Sequence, residues 1–497
     1  MNCLLPLFVA IPLASAFLIS LLGKFFRRMG DVFSSFSCLV LFLLSLNTQY
    51  SILNNKISIY KMGGWIPPLG ICLVLDGLTS FMLITVNLIS LLVVIYSLSY
   101  MEKYTDKWKF YTLFMLMLAG MNGVIITGDL FNLFVFLEIA SISSYALVAF
   151  GTEKEELEAS FKYAIMGSVA SSFILLGIAL LYSYTSTLNM ADISLVLASK
   201  QNRFLLNFIL VLFLMGFGLK AALVPFHAWL PDAHPSAPAS ISAMLSGVLI
   251  KVLGIYALIR LIFNIIGISN ILISLLIFLG ALSMLVGVIL ALSQWDFKRL
   301  LAYHSISQIG YVILGIGLGT PLGILGGLFH LFNHSVFKSL LFLNSGAVVY
   351  ELGTRNLQEM GGLRNKMPIT ANTNLIASMS IAGIPPFNGF FSKLIIILAC
   401  IQAKHFGYAF CAVIASILTL ASFMKVQKYA FFGKLNEKWQ KIKEVPLAMC
   451  LSMLILAFIC ILGGLLITPQ FKGFLQSAVD VLLNGKNYAN LVFQAVK

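Results

Sequence analysis

The chain has 497 residues, of which 60% are hydrophobic and only 10% charged. Water-soluble domains carry about a quarter of their residues as charges, so a soluble core is excluded. The formal charge of +14 lies in short segments between apolar stretches, which points to membrane edges and not to nucleic acid.

Apolar stretches of about twenty residues, the length that crosses a bilayer, recur along the whole chain. Fourteen spans are expected, at 3–22, 31–50, 76–100, 108–126, 130–150, 160–184, 204–231, 238–262, 270–292, 299–317, 322–349, 371–401, 408–430 and 446–467. The expected class is therefore an all-α polytopic membrane protein. The opening "MNCLLPLFVAIPLASAF" has the apolar run of a signal peptide, but Lys24, Arg27 and Arg28 follow it instead of preceding it. It is read as a retained first span. The tail after Pro469 has apolar positions at helical spacing and is read as an amphipathic helix lying on the surface.

The loops after odd-numbered spans hold the larger share of Lys and Arg, including "GKLNEKWQKIKE", Arg355, Arg364 and Lys366. By the positive-inside rule these loops face the cytoplasm of a prokaryotic cell, and both termini lie outside. Seven cysteines (Cys3, Cys38, Cys72, Cys400, Cys411, Cys450 and Cys460) show no CxxC spacing. They read as small packing residues, and no cofactor or metal is expected.

Several ionisable groups fall inside the spans, where a charge costs about 2.5–3.5 kcal/mol on insertion scales. They are Glu138, Lys220, Lys251, Lys338, Lys393 and Lys425, with His304, His330 and His334. Glu138 shares a helical face with Ser141 and Tyr145. Lys251 has Gly247 and Gly254 at i−4 and i+3, a close-packed face from which an ammonium cannot snorkel. Lys220 precedes Pro225 by about one turn, and Lys393 follows a Pro-Pro; interrupted helix frees backbone groups that can solvate a charge. His330, His334 and Lys338 form a stripe at i, i+4, i+8. Two histidines at that spacing suit zinc, but no carboxylate or cysteine is near enough in sequence to complete a site. Histidine also passes protons near neutrality. Lys425 reads as a helix-end charge, and His405 as a loop residue.

Two patterns recur. "LVPFHAWL" and "GIPPFNGF" each carry Pro-Phe near an intramembrane lysine, and "EIASISSY" (138–145) overlays "HSISQIGY" (304–311). Spans 4–8 and 9–13 then read as two copies of a five-helix unit. Because five is odd, the second copy is inverted across the membrane, as in transporters with paired broken helices. The expected organisation is 1–107 for the first three helices, 108–263 and 264–433 for the two repeats, and 434–497 for the last helix and tail.

The stretches "FNLFVFLEIASISSYALV", "VPFHAWLPDAHPSAPASISAMLSGVLIK", "DFKRLLAYHSISQIGYV", "HLFNHSVFKSLLFL" and "GIPPFNGFFSK" resemble the antiporter-like subunits shared by respiratory NADH dehydrogenase complexes, membrane-bound hydrogenases and Mrp-type multisubunit cation/proton antiporters. The D-type Mrp subunit and its hydrogenase counterpart are the most similar. The tail is too short for the relative with a long lateral helix, and Lys393 stands where another relative has glutamate. The resemblance implies a proton relay. Glu138 and Lys220 would form a coupling pair, Lys251 would take the proton centrally, His330 and His334 would line the middle, and Lys393 would end the path. His304 and Lys338 would be further members.

The expected function is proton translocation by one subunit of a larger membrane complex, with other integral membrane subunits as partners and sodium as a second ion the sequence leaves open. A free-standing cation/proton transporter, a quinone-linked redox subunit and a scaffold with inert charges are the rivals. The chain itself is not expected to be an enzyme.

Overall fold

A computed structural model of the protein describes residues 4–26, 28–54, 57–199 and 202–496; Cys3 and Arg27 lie outside them. The chain begins with α1 (Leu7–Leu22) and α2 (Met29–Asn54), followed by a hairpin of β1 (Ser58–Lys61) and β2 (Cys72–Leu75). Next come α3 (Gly77–Tyr100), α4 (Lys107–Ile126), α5 (Leu130–Val148), α6 (Lys154–Thr185) and a short α7 (Met190–Ser199). Helix α8 (Arg203–Lys220) breaks, and the chain resumes as α9 (Leu230–Ser236) and α10 (Ala239–Ile266). Then follow α11 (Asn270–Leu292), α12 (Phe297–Gly317) and α13 (Pro321–Leu352). A second interrupted pair, α14 (Pro368–Ala382) and α15 (Asn388–Gln402), leads to α16 (Phe406–Phe431), α17 (Leu447–Leu462), α18 (Lys472–Leu483) and α19 (Tyr488–Val496).

Among the described residues, eleven helices are long and apolar enough to cross a membrane. The remaining three expected spans take other forms. Segment 3–22 is the sixteen-residue α1. Segment 322–349 is the 32-residue α13, diluted by its own polar stripe. Segment 371–401 is the pair α14 and α15, fifteen residues each. The small hairpin is an addition to the all-α expectation: its four-residue strands are too short to leave a period in the sequence.

Local chemistry sets the helix starts. Asp76, Asp129, Asn202, Ser269, Asp296 and Thr320 each accept a backbone N–H from the first turn of α3, α5, α8, α11, α12 and α13. Such caps satisfy donors that lipid cannot. Helices α10, α12 and α13 are buried almost throughout, whereas α1, α2, α6 and α16 turn large apolar side chains outward, among them Phe17, Phe36, Phe161 and Phe410. The titratable residues thus sit mainly on the innermost helices.

The tail differs from the single surface helix expected. It forms two helices, and Leu475, Ala478, Val479 and Leu482 of α18 are buried against the protein. Phe474 packs on Phe81 of α3 and Phe332 of α13. Gly77 and Gly485 permit close contact: a methyl at either would overlap the carbonyl of Ser477 or of Phe263.

Candidate functional site

Lys220 is the last residue of α8, and the chain then turns through Ala222, at φ 55°, and the cis Val224–Pro225 bond. Its ammonium is buried, 3.7 Å from the Glu138 carboxylate of α5. It donates to Ser141 Oγ at 2.8 Å and to the Tyr145 hydroxyl at 3.4 Å, so the face of α5 read from the sequence converges on one lysine. The Ser171 hydroxyl of α6 donates to Glu138 from the other side. Gly167 makes room for Tyr145, because a Cβ there would overlap the phenol oxygen. The Trp229 indole N–H donates to the Leu219 carbonyl and ties the far side of the break to Lys220.

Lys251 is fully buried in α10, which is π-wound over Leu245–Leu249 and Lys251–Tyr256. Its ammonium donates to the carbonyls of Ser246 and Gly247, both at 2.6 Å. Wide turns of this kind are frequent at functional sites. The glycine reading holds: a Cβ on Gly254 would meet the Ala221 backbone at 2.6 Å, so α10 lies directly on the first break. A Cβ on Gly247 would overlap Ser339 Oγ of α13.

On α13 the histidine stripe is wholly buried. His330 Nδ1 is 2.9 Å from Ser392 Oγ and Nε2 is 3.2 Å from Gln308 Oε1. His334 stacks beside it with ring centroids 6.4 Å apart, and neither of its nitrogens has a protein partner among the described residues. The Lys338 ammonium likewise has no hydrogen-bond partner there. Buried polar groups left in this state are normally satisfied by water, so these positions suit a hydrated interior. His334 lies within electrostatic reach of Lys251, Lys338 and Lys393.

Lys393 of α15 donates to the Ile381 carbonyl at 2.7 Å and to Ser416 Oγ at 3.3 Å, with the Tyr311 ring 4.7 Å from its nitrogen. It borders a cavity of about 250 Å³ beside Gly383 and Ile417. The second break is fastened to α13 by an amide pair. Asn388 Nδ2 donates to Asn333 Oδ1 at 2.9 Å, and Asn333 Nδ2 to the Asn388 carbonyl at 3.0 Å. His304 lies 2.9 Å from Ser422 Oγ and stands off the main line. Lys425 donates to the carbonyls of Leu292 and Gln294, both at 2.7 Å, and so closes the end of α11. His405 is an exposed residue before α16.

Three buried groups escaped the reading of the sequence. His234 of α9 has no protein partner on either nitrogen among the described residues, lies edge-on to Trp229 and Phe342, and is within electrostatic reach of Lys338, Lys251 and Lys298. Lys298 is buried at the floor of a cavity of about 500 Å³ lined also by Glu156, Asp296 and Arg355, and it donates to the Ala237 carbonyl at 2.7 Å. Arg260 of α10 grips both oxygens of Asp76, at 2.6 and 2.9 Å. The signal for His234 was present in the proline-rich stretch. Lys298 and Arg260 each lie within two residues of an expected span end, where a charge is unremarkable.

Among the described residues no three His, Cys, Asp or Glu side chains converge as a metal site would require. Acidic and basic side chains thus stand in a row of positions on α5, at both breaks and on α10 and α13. The sequence profile of the NADH:quinone oxidoreductase/Mrp antiporter transmembrane family matches residues 127–419, a stretch that contains the whole row from Glu138 to Lys393. The chain belongs to that family. A second profile, NADH-ubiquinone oxidoreductase (complex I) chain 5 N-terminus, matches residues 65–111. The D-type subunit of the Na(+)/H(+) antiporter from Alkalihalophilus pseudofirmus is 37% identical over 97% of this chain and 98% of its own. Among solved structures, a chain of the Mrp complex from Dietzia sp. DQ12-45-1b superposes with a TM-score of 0.92 at 28% identity, covering 99% of both chains. A chain of the membrane-bound sulfane sulfur reductase, an archaeal respiratory membrane complex, gives 0.89 at 32% identity, again over 99% of both. The architecture is thus shared along its whole length with subunits of multisubunit membrane complexes.

Proposed function

We propose that this subunit carries protons along the membrane interior, as part of a multisubunit complex that exchanges them for sodium. The carrying observation is the succession of titratable groups: the half-buried Glu138 beside the buried Lys220, then Lys251 on the helix against that break, His334 and His330, and Lys393 at the second break, all four buried. Making or breaking the Glu138–Lys220 pair would capture or release a proton, because pairing favours the charged forms and dry surroundings oppose them. The π-wound α10 would present Lys251 to the pair on one side and to the histidines on the other. Lys338 and His304 would extend the row, and His234, within electrostatic reach of Lys338, Lys251 and Lys298, would join it. The two five-helix units would be 108–263 and 264–433, inverted with respect to each other.

The name of the Alkalihalophilus relative pairs sodium with protons, and the choice of sodium rests on it. The face carrying the basic loops would be cytoplasmic, with both termini outside, in a prokaryotic cell membrane. The chain would work without a cofactor and catalyse no bond-making of its own. The test is Glu138→Gln in the assembled complex. Antiport measured in everted vesicles should fall about tenfold or more with assembly intact. Unchanged antiport would leave these charges as scaffold.

A further inference from the structure

Helix α14 turns a polar face into the protein and its apolar side outward. Thr370, Thr373, Asn374 and Ser378 are all buried, while Leu375, Ile376 and Met379 are only half-buried. Residues 370, 374 and 378 stand at i, i+4, i+8 and so line one face. At the basic-loop end, Glu444 accepts from the Thr370 hydroxyl at 2.6 Å and from the backbone N–H groups of Ile369 and Thr370. Further in, Thr373 donates to Asn344 Oδ1 at 2.9 Å, and Gln427, at the π-wound end of α16, donates to Ser378 Oγ at 3.0 Å.

What remains over is informative. Among the described residues, both side-chain polar atoms of Asn374 have no protein partner, nor have Asn344 Nδ2, Gln427 Oε1, His304 Nδ1 and the Lys338 ammonium. Helix packing that needed these amides as structural glue would have paired them; buried groups of this kind are held by ordered water, typically with about three hydrogen bonds per molecule. Between Glu444 at one end and Lys338 and His304 at the other, every named side chain is an uncharged hydroxyl or amide. None can itself carry a proton, but each can orient a water that does.

We propose that the inward face of α14, from Glu444 through Thr370, Thr373 and Asn374 to Ser378 and Gln427, lines a file of water that connects the basic face of the membrane to Lys338 and His304. It is a proton uptake route that does not pass the cavity at Lys298, and it feeds the second five-helix unit. This rests on the relay proposed above.

The test is Asn374→Leu in the assembled complex, compared with Asn374→Ser, which removes the amide but keeps a group that holds water. Initial proton uptake should fall about fivefold or more in the leucine variant and recover in the serine variant. Asn374→Cys should also become reactive to a small hydrophilic thiosulfonate added from the basic face. Normal uptake by Asn374→Leu overturns the route, as do equal losses in the leucine and serine variants or a cysteine that resists the reagent. With Glu138→Gln inactive in the same preparation, such results remove this route alone; if Glu138→Gln also transports normally, the relay itself falls.

Discussion

The two broken helices solve one problem in opposite ways. At the first, the lysine precedes the break and faces a carboxylate, Glu138, together with Tyr145. At the second, the lysine follows the break and meets only neutral groups: the Ile381 carbonyl, Ser416 and the face of Tyr311. The shift that lays Pro225-Phe226 on Pro386-Phe387 also lays Lys220 on Ile381, and the Lys393 ammonium reaches the carbonyl of that very residue. The overlay of 138–145 on 304–311 likewise pairs Tyr145 with Tyr311. An ammonium therefore sits beside a matched tyrosine at both breaks, delivered from different sequence positions. The difference teaches that, on the proposed relay, the first site would alternate between paired and unpaired states, whereas the second, with no counter-ion among the described residues, would serve as a terminus.

The sharpest way to break this comparison is to remove one charge at each site. Lys220→Ala should abolish antiport, a loss of about tenfold or more, because the paired state disappears. Glu138→Gln should in addition lower stability by up to about 3 kcal/mol, since it strands the buried Lys220, and thermal unfolding of the complex reads that cost. Lys393→Arg comes next. A guanidinium keeps the charge but does not release its proton, so antiport should stop even though the site stays occupied; normal activity would mean that the terminus needs charge alone. Gly254→Ala should cost about 1–3 kcal/mol of stability, because the new methyl meets the Ala221 backbone at 2.6 Å. Asn388→Ala should cost about 1 kcal/mol and reduce antiport through the loosened second break. Lys425→Gln should have the smallest effect, with transport within about twofold of the parent and at most about 1 kcal/mol lost from the end of α11.

Much of this was legible in the order of residues alone. Apolar length revealed the spans, Pro225 and Pro386 marked the breaks, and Gly247 and Gly254 announced a face on which Lys251 could not reach lipid. Other features left no local trace. Arg260 lies two residues from the expected end of its span, but α10 runs on to Ile266, so the arginine is interior and needs Asp76, a helix cap far away in sequence. Lys298 lies one residue outside the span expected at 299–317, and only the fold covers it with the Ala237 carbonyl. The inward face of α14 lay hidden within the span expected at 371–401, because hydropathy averages over a helix and does not say which side faces in. The tail's division at Asn484 and its burial depend on partners in α3 and α10 that no periodicity encodes.

That tail has a consequence for how the protein is made. Its helices leave the ribosome after every residue of the proposed relay, yet Phe474 fills the space between Phe81 and Phe332, and the Val481 carbonyl accepts from Asn264 at 2.9 Å. The Asp76–Arg260 pair, with the Tyr488 ring over the guanidinium, therefore stays uncovered while the helices around it are being inserted. Closure of that face has to wait for the tail, and a chain cut short before Lys472 would leave the Asp76–Arg260 pair and the space between Phe81 and Phe332 uncovered.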